Sequence, residues 1–233
     1  MLEVHVRKYR REWTVEAQFN LADGERLGLF GGSGEGKSTI LSCIAGIDTP
    51  DGGRILLDGQ CLFPVAVPCY RRPVGYLTQK DQLFPHLVVA ENVLFGLSRQ
   101  ARHEERAWIA RLRHHLGLDA FWEAPVRLLS GGQARRVALA RMLARKPRLV
   151  LLDEPFTGLD RHIVRELVQV LLEWQQELGF SLLAVDHQAE VLEQICPQTL
   201  VIEQGRVLQQ GSWAALRLAP ASPLLASLLA PHY

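Results

Sequence analysis

Arg26-Leu27-Gly28-Leu29-Phe30-Gly31-Gly32-Ser33-Gly34-Glu35-Gly36-Lys37-Ser38-Thr39-Ile40-Leu41 is the stretch on which the fold turns. An apolar run of strand length, Leu27 to Phe30, feeds a glycine-rich turn. A helix-forming run then extends from Lys37 to Ile47. Gly31 to Ser38 fits the spacing G-x-x-x-x-G-K-[ST] of a phosphate-binding loop. Its glycines let successive backbone N–H groups turn inward around an anion. The helix that follows aims its positive end at the same anion. In such a loop Lys37 reaches the terminal phosphates and the Ser38 hydroxyl reaches Mg²⁺. Gly31, Gly32, Ser33, Gly34, Glu35, Gly36, Lys37, Ser38 and Thr39 are therefore the candidate nucleotide-binding residues.

Composition bounds what surrounds this loop. The chain has 233 residues and a formal net charge of +1, which suits one domain or two tightly joined subdomains, and its 48% hydrophobic residues suit a soluble globular protein. No apolar run approaches the ~20 residues of a membrane span. Met1-Leu2-Glu3-Val4-His5 does not read as a signal peptide. A near-neutral balance argues against a dedicated nucleic-acid binder. Cys43, Cys61, Cys69 and Cys196 have neither C-x-x-C nor zinc spacing and read as thiols of a reducing compartment.

Residues 2–20 alternate apolar and polar and predict two antiparallel strands joined near Arg10-Arg11. Trp13 begins the second strand. It is either a half-buried strand aromatic or a ring that stacks on a base, with Tyr9 the weaker stacking candidate. Arg54 to Gly59 and Val74 to Thr78 read as strands, the latter ending at Gln79, placed to reach a metal or water. Leu83-Phe84-Pro85-His86-Leu87 is a packed turn or an exposed docking edge. Residues 88–120 read as helical, with Trp108, Ile109, Leu112 and Leu116 on the apolar face. Leu129-Ser130-Gly131-Gly132-Gln133 breaks that pattern and opens a helix from Ala134 to Arg145. Ser130 suits an N-cap, and the two glycines leave N–H groups that serve either a capped helix or a second anion site.

Leu149-Val150-Leu151-Leu152 is apolar enough for a strand buried on both faces, and it ends in Asp153-Glu154. Two carboxylates there are costly to bury unpaired. Asp153 suits the Mg²⁺ side and Glu154 the base that orients water, although one of them could cap the next helix. An amphipathic helix from Ile163 to Leu178 precedes a second buried strand, Ser181 to Val185, with Asp186-His187 at its end. A hairpin around Gln204-Gly205 and two short helices, beginning at Ser212 and Ser222, close the chain.

Together and in order, these residues resemble the nucleotide-binding subunit of ATP-binding-cassette transporters. The phosphate loop, Gln79, Leu129 to Gln133, Asp153-Glu154, Gly158-Leu159-Asp160 and His187 carry the resemblance, which covers nearly the whole chain. It implies an α/β fold: a P-loop NTPase core with a mainly parallel sheet, an N-terminal antiparallel β subdomain and an α-helical signature subdomain. The expected division is one domain over 1–233, with 1–80 and 149–233 as catalytic core and 81–148 as helical subdomain, and no C-terminal regulatory domain. The resemblance also implies a two-fold dimer. Each ATP lies between one copy's phosphate loop and the other's Ser130, Gly131, Gly132 and Gln133. Ser38, Gln79 and Asp153 surround Mg²⁺, Glu154 polarises the attacking water, and His187 contacts the γ-phosphate. Asp160 touches the opposite copy, and Trp13 stacks on adenine. Residues 79–87 grip a helix of a transmembrane permease subunit at the cytoplasmic face of the membrane. The compact form looks most like bacterial importers of the molybdate, sulfate or thiamine kind, which implies an extracytoplasmic solute-binding protein and no nucleic acid. The competing readings are an exporter ATPase, a cassette ATPase working on DNA or the ribosome, and a nucleotide-binding module without catalysis. Two departures stand out: Ala134-Arg135-Arg136 where Arg-Gln-Arg is commoner, and Thr157-Gly158 in place of Ser-Ala.

Overall fold

Alternating burial builds the first pair of strands. In β1 (Leu2–Tyr9) Leu2, Val4 and Val6 are buried, and in β2 (Thr14–Leu21) Val15, Ala17, Phe19 and Leu21 are. Their antiparallel register sets Val4 opposite Phe19 and Val6 opposite Ala17, so both apolar sets share one face. The structure, a computed structural model, describes residues 1–10 and 13–230, so Arg11 of the expected turn lies outside the described residues.

β3 (Arg26–Phe30) is buried from Leu27 onward, as a strand covered on both faces must be. The glycine-rich loop carries it into α1 (Lys37–Ala45), which ends at the left-handed Gly46. Arg72, 5% exposed, seals that end. Its guanidinium donates to the carbonyls of Cys43 (3.0 Å) and Ile44 (2.7 Å) in α1, and to those of Val67 (3.0 Å) and Leu62 (3.2 Å). A cation at the carboxyl end of a helix is favoured by the helix dipole.

β4 (Gly52–Leu57) pairs antiparallel with β1 and with the short β5 (Gln60–Phe63), and β6 (Val74–Leu77) follows. The helical run expected over 88–120 is broken into α2 (Val89–Leu94), α3 (Arg99–Glu104) and α4 (Arg106–His115). Ser98 starts α3 by accepting from the Ala101 N–H at 3.1 Å. Trp108, Ile109, Leu112 and Leu116 are nevertheless all buried, as their spacing predicts. α5 (Gly131–Leu143) begins three residues earlier than Ala134. The cause is a capping box: the Gln133 N–H donates to Ser130 Oγ at 3.3 Å and the Ser130 N–H to Gln133 Oε1 at 2.9 Å.

β7 (Leu149–Asp153), α6 (Arg161–Leu178) and β8 (Ser181–Val185) lie where the patterns place them. α7 (Ala189–Ile195) was not anticipated. β9 (Gln198–Glu203) and β10 (Arg206–Ser212) form the hairpin. α8 (Trp213–Leu218) and α9 (Pro223–Leu229) are capped by Ser212 and Ser222.

Among the described residues, ten strands form one sheet in the order β5-β4-β1-β2-β10-β9-β3-β8-β7-β6. From β9 to β6 all neighbours are parallel. The antiparallel strands join this body through the pair Arg206 and Glu16. Successive residues of β7 feed two cores. Leu151 packs with Ile40, Leu41 and Ile44 of α1, while Val150 and Leu152 pack with Trp108, Val137, Leu139 and Trp174 of α4, α5 and α6. The carboxyl ends of β3, β8, β7 and β6 consequently share one edge, where open α/β sheets place their sites. No described helix is long and apolar enough to cross a membrane.

Arg72→Ala removes four charge-assisted donors from buried carbonyls and should destabilise the chain by about 3 kcal/mol. Equilibrium denaturation in urea should show a lowered midpoint; an unchanged midpoint would mean that α1 does not need this seal.

Candidate functional site

The turn after β3 is glycine because its backbone must be. Gly31 has φ 148°, and a Cβ there would lie 2.1 Å from the carbonyl oxygen of Ile202. Gly36 has φ 93°, and a Cβ would lie 2.7 Å from Val15 Cγ2 and 3.1 Å from the Trp13 ring. The loop therefore fits closely between β9 and β2. Among the described residues no side chain caps α1, whose N-cap is Gly36, so its first-turn amides are left for an anion.

Lys37 is only 6% exposed. Its Nζ donates to the carbonyls of Gly31 (2.8 Å) and Gly32 (2.6 Å). No carboxylate among the described residues lies within ion-pair distance of it; Glu154, Glu35, Asp153 and Asp186 act on it only from farther away, and burial depresses its pKa. A buried ammonium at the positive end of a helix, with only neutral acceptors, is a place prepared for an anion.

Acid groups converge on the same place from neighbouring strand ends. Ser38 Oγ donates to Asp153 Oδ1 at 2.8 Å, and the Tyr76 hydroxyl of β6 donates to Asp153 Oδ2 at 3.0 Å. Burial raises the Asp153 pKa against these two bonds, with nearby Glu154 adding to the rise. Glu154 itself has φ 46°, in the left-handed region, and its N–H donates to the Val185 carbonyl of β8 at 2.8 Å. Gln79 Nε2 donates to Glu154 Oε2 at 3.1 Å, and His187 Nδ1 lies 3.8 Å from Glu154 Oε1. Asp186, 2% exposed, sits under the histidine with Oδ1 3.6 Å from Nδ1, and burial raises its pKa. Ser38, Gln79, Asp153, Glu154 and His187 are thus brought together. Ser38 hydroxyl, Gln79 carbonyl and Asp153 carboxylate are hard oxygen donors and suit Mg²⁺ bound jointly with phosphate. Among the described residues no cluster of three His, Cys, Asp or Glu side chains could hold a metal alone.

The remaining candidates lie farther out. Trp13 borders a groove of about 860 Å³ with Ser33, Gly34 and Glu35 on one side and Glu203, Arg206 and Leu208 on the other. Its ring rests near Gly36 and Gly205, so one face is held by backbone. Glu35 turns its carboxylate to the Gln204 N–H at the hairpin. Thr39 Oγ1 accepts from Arg10, which also pairs with Asp48 at 2.9 Å. Asp160 is exposed at the start of α6 and makes no side-chain cap bond. Ser130 to Gln133 stand apart. Among the described residues no hydrogen bond ties them to the phosphate loop, and Gly132 faces Ile163 of α6.

Sequence reasoning missed two residues here. Asp186 was noted only as the neighbour of His187. Arg135, which the sequence marks only as part of a departure from Arg-Gln-Arg, is 4% exposed and lies between Thr78, Asp81, Glu154 and Pro155. A charged residue inside an apolar helix face is the signal that could have found it.

Comparison with known proteins gives this geometry its relatives. A family model described as "ABC transporter" matches residues 15–157. The Fe(3+) ions import ATP-binding protein of Mesorhizobium japonicum is 41% identical over 215 residues, 90% of this chain and 59% of that protein. The chain thus spans well under two thirds of that relative. The thiamine import ATP-binding protein of Jannaschia sp. is 35% identical over 222 residues, 94% of this chain and 96% of that protein. Among solved structures, a dimeric bacterial ABC transporter cassette superposes with a TM-score of 0.78 at 26% identity, covering 91% of this chain and 98% of that one. The same cassette in a post-hydrolysis state bound to ADP and Pi gives 0.77.

Lys37→Met should make the ligand-free protein more stable, by about 1 kcal/mol, because it removes a buried cation that pairs directly with no carboxylate among the described residues. Thermal denaturation without nucleotide measures this; a lowered midpoint would show that the two carbonyl bonds outweigh the burial of charge.

Proposed function

The chain belongs to the ATP-binding-cassette transporter family, and from that premise we propose that it binds and hydrolyses ATP to drive solute import through membrane partners. The observation that carries the reading is the convergence of four elements. The buried Lys37, the Ser38–Asp153 bond and the Gln79–Glu154–His187 group all meet at the phosphate loop.

The loop amides and Lys37 hold the triphosphate and neutralise the charge that gathers on the leaving β-phosphate oxygen. Ser38, Asp153 and the free carbonyl oxygen of Gln79 would hold Mg²⁺, which supplies charge neutralisation between the β- and γ-phosphates. Glu154 accepts a hydrogen bond from the attacking water and takes its proton as the P–O bond forms. His187 donates to the γ-phosphate, with Asp186 behind its Nδ1. Trp13 stacks on adenine along the groove it borders. Gly31 to Thr39 supply the remaining nucleotide contacts.

Ser130, Gly131, Gly132 and Gln133 serve a second copy's ATP, and Asp160 meets that copy near its loop. Their separation from the phosphate loop within one chain supports this, as does the likeness to a dimeric cassette. ATP then favours the closed pair because only that state lets both copies contact it. Residues 79–87, with the half-exposed Phe84 and the exposed Phe95 beside Met142, offer a groove for a permease helix. The import names of the relatives support import, with an extracytoplasmic solute-binding protein in the system and this chain at the cytoplasmic face. The division into a core of 1–80 and 149–233 and a helical part of 81–148 follows the same reading.

Glu154→Gln should keep ATP affinity, lower phosphate release by about 10²–10⁴-fold and leave a persistent ATP-bound pair on size-exclusion chromatography. Hydrolysis at the parental rate would remove Glu154 from its role. Lys37→Ala should abolish tight ATP binding in a fluorescence titration, and unchanged affinity would overturn the phosphate-loop assignment.

A further inference from the structure

Arg135 lies in the second turn of α5, and its guanidinium reaches two segments far apart in the chain. One terminal nitrogen donates to the Thr78 carbonyl at 2.7 Å and to Asp81 Oδ1 at 2.9 Å. The other donates to the Glu154 carbonyl at 3.3 Å, and Nε donates to the carbonyl of Pro155. Thr78 precedes Gln79, so one side chain grips the backbone beside both residues that meet at the water-activating carboxylate. The grip on Glu154 is two-sided. Its N–H is held by Val185 of β8, its carbonyl by Arg135, and between them the residue is kept at φ 46°. A non-glycine residue stays in that region only when its surroundings hold it there.

The same helix straps the rest of the loop. Arg141, further along α5, donates to the carbonyls of Asp81 and Gln82, both at 2.9 Å, and its guanidinium lies 5.5 Å from the centre of the Phe84 ring. The loop that carries Gln79 and the helix that carries Ser130 to Gln133 are therefore tied as one body, which meets Glu154 twice: Arg135 at its backbone carbonyl and Gln79 at its carboxylate.

We propose that Arg135 is a positioning residue for hydrolysis: it sets the Glu154 carboxylate against Gln79 and passes movement of the 78–84 loop to it. The inference rests on the reading of Glu154 as the base. Burial opposes the charge on Arg135, and Asp81 offsets that opposition. Arginine serves both segments at once in this chain because its planar fork presents separate donors to each side. A lysine has one point of charge and a glutamine two donors on one nitrogen, so neither makes the four bonds that Arg135 makes between Thr78 and Pro155.

Arg135→Gln and Arg135→Lys should each lower kcat by about 10–100-fold, the scale of a small misplacement of a catalytic group, while the KM for ATP stays within about twofold. In a Glu154→Gln background, Arg135→Gln should cost less than about twofold more, because the group it positions is already gone. Asp81→Asn, which keeps the shape of the site should Arg135→Gln fail to fold, should lower kcat by about threefold or more and add nothing to Arg135→Gln. Parental kcat in the Arg135 variants, a rise in KM alone, or full additivity with Glu154→Gln would each overturn the proposal. If Glu154→Gln alone hydrolyses at the parental rate, the reading of Glu154 fails instead, and the two failures are told apart.

Discussion

The site exists because β3, β8 and β7 are in parallel register. Leu29 pairs with Val185, and Val185 pairs with Asp153. That register places the end of the phosphate-loop strand, the His187 turn and the acidic pair on one edge of the sheet. A shift of one residue in β7 would turn Asp153 into one of the two cores and Leu152 toward the loop. Burial of Val150, Leu151 and Leu152 on both faces makes such a shift expensive, so apolar packing defines where the carboxylates go. The Ser38–Asp153 bond then ties α1, which follows β3, to the end of β7 across the intervening β8.

Around that edge the chain accepts local costs. Lys37 is a buried cation whose described partners are carbonyls, Asp153 and Asp186 are buried carboxylates with raised pKa values, and Glu154 holds a left-handed backbone. Each is unfavourable in isolation. Their clustering at a single edge, against a sheet whose remainder is apolar and regular, is the pattern expected where stability yields to chemistry. The helices supply the reserve: Arg72 sealing α1 and the capping box opening α5 satisfy ends that would otherwise be orphaned.

Local signals were legible in the sequence and distant ones were not. The phosphate loop, the buried strand ending in Asp153-Glu154, the hairpin at Gln204-Gly205 and the serine caps each depend on neighbours within a few residues, so spacing alone reveals them. Arg72 and Arg135 escaped because their partners lie up to 29 and 57 residues away; Arg135 carries one local mark, a charge on an apolar helix face, but that mark does not name its partners. The helical run over 88–120 was overread for a related reason. Its apolar positions keep helical spacing across Ser98 and Glu105, where the chain breaks, since α2 and α4 face the same core. The start of α5 was set too late because two glycines read as a loop, whereas Ser130 and Gln133 close the helix around them.

Gly131 has a consequence of its own. A Cβ at that position would meet nothing within 4 Å, and its φ is not in the left-handed region. Nothing inside the folded chain asks for glycine there, in contrast to Gly31 and Gly36. Alanine in the first turn of α5 would suit a solitary molecule better by up to about 1 kcal/mol. On the reading of Ser130 to Gln133 proposed above, the bare backbone at 131 is a clearance kept for a surface that another molecule brings.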